Sequence, residues 1–206
     1  MDLQLTGKKA LVSAGQKCIG LFIARRLLEE GTEVSICCRQ QAELDQAIET
    51  LSALGKVEGA VCDFSNVDQI KNWVTNAGTS MGGIDICVGN ASASGQHGEG
   101  TQPWQRSFEV DILGSAMFYE AAKPFLTQSN AAAIVQIATI TAIEHHDVPI
   151  SPSYGASKAA TINLIAQLAQ RWGPQGIRAN TLSPGPIMIE QGRWDDIKDR
   201  KGMMVD

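Results

Sequence analysis

Short apolar runs alternate along this chain with stretches in which apolar residues recur every three or four positions. Runs of about four to eight apolar or β-branched residues are typical of buried strands, and the three-to-four spacing is typical of amphipathic helices. Six strands are predicted, at Lys9–Ser13, Thr32–Cys38, Lys56–Cys62, Ile84–Val88, Ala131–Ala138 and Ile177–Ser183. Five intervening helices are predicted, near residues 19–27, 41–54, 67–81, 102–126 and 153–172.

This alternation of strands and helices predicts an α/β fold. Strands joined by helices form a parallel sheet through right-handed crossovers, and strands that are apolar on both faces fit a sheet covered by helices on each side. We therefore predict a doubly wound Rossmann-type parallel sheet, with helices on both faces, that ends after the sixth strand. Because the 206 residues show no break in composition, residues 1–206 are predicted to form a single domain.

Composition and charge narrow the classes of function. The chain is 44% hydrophobic and 19% charged, as soluble globular proteins are, and no apolar stretch is long enough to cross a bilayer. A net charge of −5, with no long run of basic residues, argues against nucleic acid as a partner. The N-terminal residues do not resemble a signal peptide, so a cytoplasmic protein is predicted. Neither the five cysteines nor the pair His145 and His146 has the spacing of a metal site, so no metal is predicted.

Ligands of doubly wound sheets bind beyond the carboxyl ends of the strands, so the turns at these ends are the candidate sites. The turn Ser13–Gly20, SAGQKCIG, opens a helix whose free N–H groups and dipole favour a phosphate group. Arg39 follows the second strand, where an acidic residue would bind a ribose 2′-hydroxyl and a guanidinium suits a 2′-phosphate. Together with Lys17, Arg39 favours NADP(H), and NAD(H) remains the alternative.

Two further turns carry polar residues that suit a nucleotide. Asp63 ends the third strand, and Asn90 lies in the GNAS turn after the fourth. Such residues contact an adenine or a ribose in some proteins and cap helices in others. Their position leaves both interpretations open.

The segment with the strongest chemical character is SYGASK. Tyr154 and Lys158 are four residues apart near the start of a helix, so their side chains lie on one face. An ammonium beside a phenol favours the phenolate and lowers the pKa of the tyrosine, which suits a general acid or base acting on a carbonyl or an alcohol. Upstream, Thr139 and Thr141 follow the fifth strand, where a hydroxyl group can stabilise charge on a substrate oxygen.

In this order the motifs resemble those of the short-chain dehydrogenase/reductase superfamily across essentially the whole chain. SAGQKCIG resembles the family's Thr-Gly-x-x-x-Gly-x-Gly turn, GNAS its Asn-Asn-Ala-Gly turn, and YGASK its Tyr-x-x-x-Lys pair. Asp63 stands for the adenine-side aspartate, and SPGPI, residues 183–187, for the Pro-Gly loop beside the nicotinamide.

The resemblance implies specific roles. Tyr154 would be the acid/base, Lys158 would bind the nicotinamide ribose, and Thr139, or alternatively Thr141, would hold the substrate carbonyl in the place of the family's serine. Asp111 falls at the family's assisting asparagine. The cofactor-binding residues implied by the motifs are Ser13, Gly15, Lys17, Cys18, Ile19, Gly20, Arg39, Asp63, Asn90, Ala91, Tyr154, Lys158, Pro184, Gly185 and Ile187.

As a whole, the resemblance implies an NAD(P)-dependent oxidoreductase, with NADP preferred over NAD. It would interconvert a small-molecule carbonyl and an alcohol, and it would work as a homodimer or homotetramer. Several residues depart from the family pattern: Ala14 and Cys18 replace glycines, Gly89 and Ser92 change the fourth turn, and Asp111 replaces an amide. Family members also continue through more helices and a seventh strand, which implies a truncated product or a partner subunit that covers the gap. The alternative function is a catalytically weakened relative that binds a nucleotide or a partner protein.

Overall fold

The computed structural model describes residues 2–93, 100–144 and 151–189. Its strands are β1 (Lys9–Ser13), β2 (Glu33–Cys38), β3 (Val57–Val61), β4 (Ile86–Gly89), β5 (Ala133–Ile137) and β6 (Arg178–Leu182). Its α-helices are α1 (Cys18–Glu29), α2 (Gln41–Ser52), α3 (Val67–Ser80), α4 (Gln102–Ser107), α5 (Ser115–Leu126) and α6 (Pro152–Trp172). The histidine pair His145 and His146 lies outside the described residues.

The six strands form one parallel sheet in the order β3-β2-β1-β4-β5-β6. Strands β2 and β3 lie on one side of β1, and β4, β5 and β6 lie on the other. The order in which strands are added to the sheet therefore reverses between β1 and β4. The predicted doubly wound Rossmann-type fold is therefore confirmed. In this topology the crevice at the reversal point is where ligands bind.

Side chains of the central strand alternate between two hydrophobic clusters, one on each face of the sheet. Leu11 belongs to one cluster, together with Trp73 and Phe118, whereas Ala10 and Val12 belong to the other. The Trp73 ring stacks on Phe118 with 5.4 Å between centroids, and its indole N–H donates to Ser35 Oγ at 3.0 Å. Both faces are thus covered, as the apolar strands predict. Within the described residues, none of the helices combines the length and the hydrophobicity needed to span a bilayer.

The prediction of one continuous helix over residues 102–126 is wrong, because the segment is interrupted. The structure divides it into α4, a π-helical segment Phe108–Gly114, and α5. A π-helical turn holds one more residue than an α-helical turn, so it changes which side chains face the protein. Here the segment brings Asp111 fully inside, where its carboxylate lies 3.1 Å from Lys158 on α6. The hydrophobic spacing gives no sign of this interruption.

Candidate functional site

A cleft of about 780 Å³ lies at the carboxyl ends of the strands. The turns after all six strands contribute to its walls, so residues far apart in sequence meet there. Most of the predicted site residues line it: Lys17, Cys18, Ile19, Arg39, Asp63, Asn90, Ala91, Thr139, Thr141, Tyr154, Lys158, Pro184, Gly185 and Ile187. Ser13, Gly15, Gly20 and Asp111 instead lie buried behind the cleft wall.

Ser13 and Asn90 join the first turn to the fourth. The Ser13 hydroxyl accepts from the N–H groups of Asn90 and Ala91, at 2.8 and 2.9 Å. The Asn90 side-chain amide donates to the carbonyl oxygens of Ser13 and Ala14, both at 3.1 Å. These two side chains therefore hold the shape of the cleft at the reversal point of the sheet.

Two glycines of the first turn are required by close packing. A Cβ atom on Gly20 would collide with the carbonyl oxygen of Ala14, and it would lie 2.6 Å from the Asn90 side-chain nitrogen. A Cβ atom on Gly15 would lie 2.6 Å from the Ile36 side chain. Any side chain at these positions would force the turn away from the sheet.

The helix that follows this turn has an open N-terminus. Lys17 occupies the N-cap position and its side chain makes no capping hydrogen bond, and the first turn of α1 contains no acidic residue. Free N–H groups and the helix dipole at such an end favour an anion. The N-terminus of α1 can therefore hold a phosphate group.

Ala14 and Cys18 adopt the left-handed backbone conformation, with φ of 51° and 49°. Side chains with a Cβ atom are strained in this region, and glycine is not. Both residues stand where the family turn carries glycine, the residue for which this backbone conformation is unstrained. The exposed Cys18 side chain also reaches the cleft.

Replacing Cys18 by glycine is expected to raise the free energy of unfolding by about 1 kcal/mol, because the backbone strain disappears. Cys18→Ala is the matched control, since it removes the thiol and keeps the strained Cβ atom. Urea unfolding should show the gain for Cys18→Gly alone. An equal gain in both variants would assign the effect to the thiol group.

Asp63 is held by a side chain that the sequence did not point to. The Arg106 guanidinium donates from one nitrogen to both Asp63 oxygens, at 3.0 and 3.1 Å, and from another to Ser65 Oγ at 2.6 Å. Partial burial acts to raise the pKa of Asp63, but the hydrogen bonds from Ser65 and Arg106 together hold it below its ordinary value. An ionised Asp63 is thus anchored to α4 at the edge of the cleft.

A second cluster of charged and polar side chains lies at the end of β2. Glu43, on the first turn of α2, pairs with Lys17 at 3.2 Å and accepts from the Gln16 amide at 3.0 Å. The hydrogen bond from Gln16, followed by the Lys17 ammonium, holds the pKa of Glu43 below its ordinary value. These three residues and Arg39 all line the cleft. The sequence indicated Lys17 and Arg39 but not their acidic neighbour.

At the opposite end, Lys158 is almost completely buried. Its ammonium donates to the Ile137 carbonyl at 3.1 Å, lies 3.1 Å from Asp111 Oδ1, and stands 6.0 Å from the centre of the Tyr154 ring. The other Asp111 oxygen accepts from the Ala93 N–H at 3.1 Å. The predicted Tyr154 and Lys158 pair is therefore assembled at the cleft, with a buried carboxylate behind it.

Thr139 and Thr141 lie together next to the Pro-Gly loop. The two hydroxyl groups are 3.3 Å apart, and the Thr139 oxygen also accepts from the Thr141 N–H. The Ile140 N–H between them donates to the Pro184 carbonyl at 3.0 Å. Both threonines line the cleft, so its geometry keeps both as candidates.

Gly89 departs from the family pattern, and its buried neighbours Tyr119 and Gln136 explain why a small residue is needed there. The buried Tyr119 hydroxyl donates to Gln136 Oε1 at 2.7 Å, and the Gln136 amide donates to the Gly89 carbonyl at 2.9 Å. Burial raises the pKa of the Tyr119 phenol well above its ordinary value, so the phenol remains a donor. A Cβ atom on Gly89 would collide with the Tyr119 hydroxyl and lie 2.5 Å from Gln136 Oε1. This cluster, Gly89, Tyr119 and Gln136, forms the floor beneath the fourth turn.

Gly89→Ala is expected to destabilise the protein by about 1–3 kcal/mol, because the added methyl group overpacks this floor. Gly173→Ala is the control, since a Cβ atom there has no neighbour within 4 Å. Thermal unfolding should separate the two variants. Equal unfolding temperatures would mean that the floor accommodates a methyl group without cost.

An open parallel sheet with a helix N-terminus at the carboxyl end of its first strand is the architecture of doubly wound α/β proteins, and here Tyr154 and Lys158 lie at the same edge. Comparison with known sequences makes the assignment specific, since residues 8–195 match the family profile described as short chain dehydrogenase. The chain belongs to the short-chain dehydrogenase/reductase family.

Two relatives show how closely the chain follows this family. Isoepoxydon dehydrogenase patN of Penicillium expansum is 31% identical over 195 residues, which cover 93% of this chain and 74% of that protein. Dehydrogenase/reductase SDR family member 4 of Homo sapiens is 32% identical over 206 residues, which cover 97% of this chain and 73% of that protein.

Solved structures share the fold. RhlG of Pseudomonas aeruginosa, in an active-site complex with NADP, has a TM-score of 0.87 at 26% identity, covering 96% of this chain and 78% of its own. An NAD⁺-bound xylitol dehydrogenase has a TM-score of 0.83 at 26% identity, covering 88% of this chain and 71% of its own. Structural relatives thus include proteins bound to either dinucleotide.

Proposed function

We propose that this protein is an NAD(P)-dependent oxidoreductase that interconverts a carbonyl and an alcohol on a small-molecule substrate, with NADP(H) preferred. The observation that carries the proposal is that one cleft joins the open N-terminus of α1 to Tyr154 and Lys158. Membership of the short-chain dehydrogenase/reductase family supports the reaction class.

The residues around the cleft fit a dinucleotide. The N-terminus of α1 would hold the pyrophosphate, since it carries neither a side-chain cap nor an acidic residue that would repel an anion. Asp63 and Asn90 would line the adenosine half, and the loop Pro184–Ile187 would lie beside the nicotinamide. Cys18, which lines the cleft, would narrow the approach to the pyrophosphate.

The preference for NADP(H) rests on charge. Arg39 is exposed at the end of β2, and within the described ranges it makes no hydrogen bond or ion pair, so it is available to a 2′-phosphate. Lys17 adds a second cation from the turn. Guanidinium groups bind phosphate through paired hydrogen bonds, which favours the phosphorylated dinucleotide.

The chain's own residues would manage the proton. The bound nicotinamide supplies or accepts the hydride. Tyr154 would give a proton to the carbonyl oxygen during reduction and take it back during oxidation, and the Lys158 ammonium beside it would favour the phenolate. Thr139, or alternatively Thr141, would donate a hydrogen bond to the substrate oxygen.

Titration with NADPH and NADH, followed by nicotinamide fluorescence, tests the cofactor assignment. Turnover with a panel of ketones, aldehydes and alcohols then tests the reaction class. Binding of NADPH together with reduction of a carbonyl substrate is expected. If neither dinucleotide binds, the proposal is wrong.

A catalytically weakened nucleotide-binding protein is the second candidate. The strained Cys18 in the phosphate-binding turn favours it, because a side chain stands where glycine normally lets the backbone approach the ligand. Under this candidate NADPH raises the melting temperature while no substrate turns over. Turnover of any carbonyl in the panel excludes it.

A further inference from the structure

Glu43 places a negative charge at the end of the cleft where the proposed function places a 2′-phosphate. Its carboxylate lies 3.2 Å from Lys17 Nζ and accepts from Gln16 Nε2 at 3.0 Å. It lines the cleft together with Lys17 and Arg39. The two cations that suit a phosphate therefore share their site with an anion.

The pairing changes what this end of the cleft offers to a ligand. Lys17 is already paired with Glu43, whereas Arg39 makes no ion pair in the part of the chain that the structure describes. A phosphate group entering here would have to share Lys17 with the carboxylate and would be repelled by it. A ribose hydroxyl carries no charge and can donate a hydrogen bond to a carboxylate.

We propose that Glu43 is a specificity-determining residue that reduces the preference for NADPH over NADH. This inference rests on the proposed function, since it concerns the choice between two dinucleotides at the same cleft. Glu43 weakens binding of the 2′-phosphate by holding Lys17 and by direct repulsion. NADH has no 2′-phosphate, so its binding is not weakened in this way. The preference for NADPH is therefore smaller than Lys17 and Arg39 would give without Glu43.

Glu43→Gln tests the charge, because it keeps the length of the side chain and one amide oxygen that can accept a hydrogen bond from Lys17 or Gln16. Glu49→Gln is the matched control. Glu49 is exposed on the same helix and does not line the cleft, so the variant removes an equal charge elsewhere. Dissociation constants for NADPH and NADH are measured by nicotinamide fluorescence on the full chain, at low and at high salt.

Glu43→Gln is expected to strengthen NADPH binding by roughly two- to fivefold at low salt and to leave NADH binding unchanged or weaker. The gain should shrink at high salt, because screening weakens interactions between exposed charges. Glu49→Gln should change neither constant. An equal change for both dinucleotides, or no change, overturns the inference. Glu43 would then have only a structural role, through its contacts with Gln16 and Lys17 in the first turn. If the unmodified chain binds neither dinucleotide, it is the proposed function that fails.

Discussion

Replacing Tyr154 by phenylalanine is expected to lower kcat by about 10²- to 10⁴-fold, the usual contribution of a general acid or base. The variant loses only the hydroxyl group that the proposed mechanism uses to move the proton. Its ring remains beside Lys158, where the ammonium stands 6.0 Å from the ring centre. The unfolding temperature of the variant, measured beside its kcat, shows whether the loss of turnover occurs in a folded protein.

Tyr119→Phe is the matched control for this experiment, because Tyr119 is the other tyrosine of the chain. Its hydroxyl belongs to the buried floor and donates to Gln136, so its loss should cost about 1–3 kcal/mol of stability by leaving a buried acceptor unpaired. At a temperature where this variant is folded, kcat should be nearly unchanged. Undiminished turnover by Tyr154→Phe would remove the tyrosine from the mechanism.

Removing the Asp111 carboxylate is expected to have the largest effect on stability. Asp111 is completely buried and Lys158 is 2% exposed, and their charges lie 3.1 Å apart. Asp111→Ala leaves an ammonium buried without its counter-charge, which costs about 3–5 kcal/mol. Asp111→Asn, which has the family's residue, should cost less, because the amide oxygen still accepts from the Ala93 N–H.

Urea unfolding of a double-mutant cycle measures this ion pair directly. The combination of Asp111→Leu with Lys158→Met removes both charges, so it should be less destabilising than the sum of the two single variants. A sum equal to the double variant would mean that the two groups stabilise the fold independently. Because Lys158 belongs to the proposed mechanism, stability rather than turnover is the informative measurement here.

The order of the elements was predictable from sequence because each strand is a short apolar run. The predicted and observed bounds of β1 are identical, and the other strands differ by a few residues at their ends. In a parallel sheet the turns after the strands meet at one edge, so the position of the cleft could also be predicted. The first turn has left-handed backbone at Ala14 and Cys18, where the family pattern has glycine, and the packing of Gly15 and Gly20 constrains the same turn.

What the sequence did not indicate depends on contacts between distant residues. The resemblance placed Asp111 at the site with Lys158, 47 positions further along, but no local pattern indicates the π-helical segment that buries its carboxylate against the ammonium. Arg106 and Glu43 are polar residues on helices, and such residues are ordinarily exposed to solvent. Glu43 was nevertheless within reach of sequence reasoning, because a helix that begins at the carboxyl end of β2 must present its first turn to the cleft.

The floor formed by Gly89, Tyr119 and Gln136 makes the residues tolerated at each of these positions depend on the other two. Asparagine, which the family pattern carries at position 89, needs the space that the Tyr119 hydroxyl fills. Loss of the Tyr119 hydroxyl would free part of this space, but it would leave the Gln136 oxygen without its donor. The three residues are thus mutually dependent, and a substitution that is tolerated in a relative would be harmful when transferred alone into this chain.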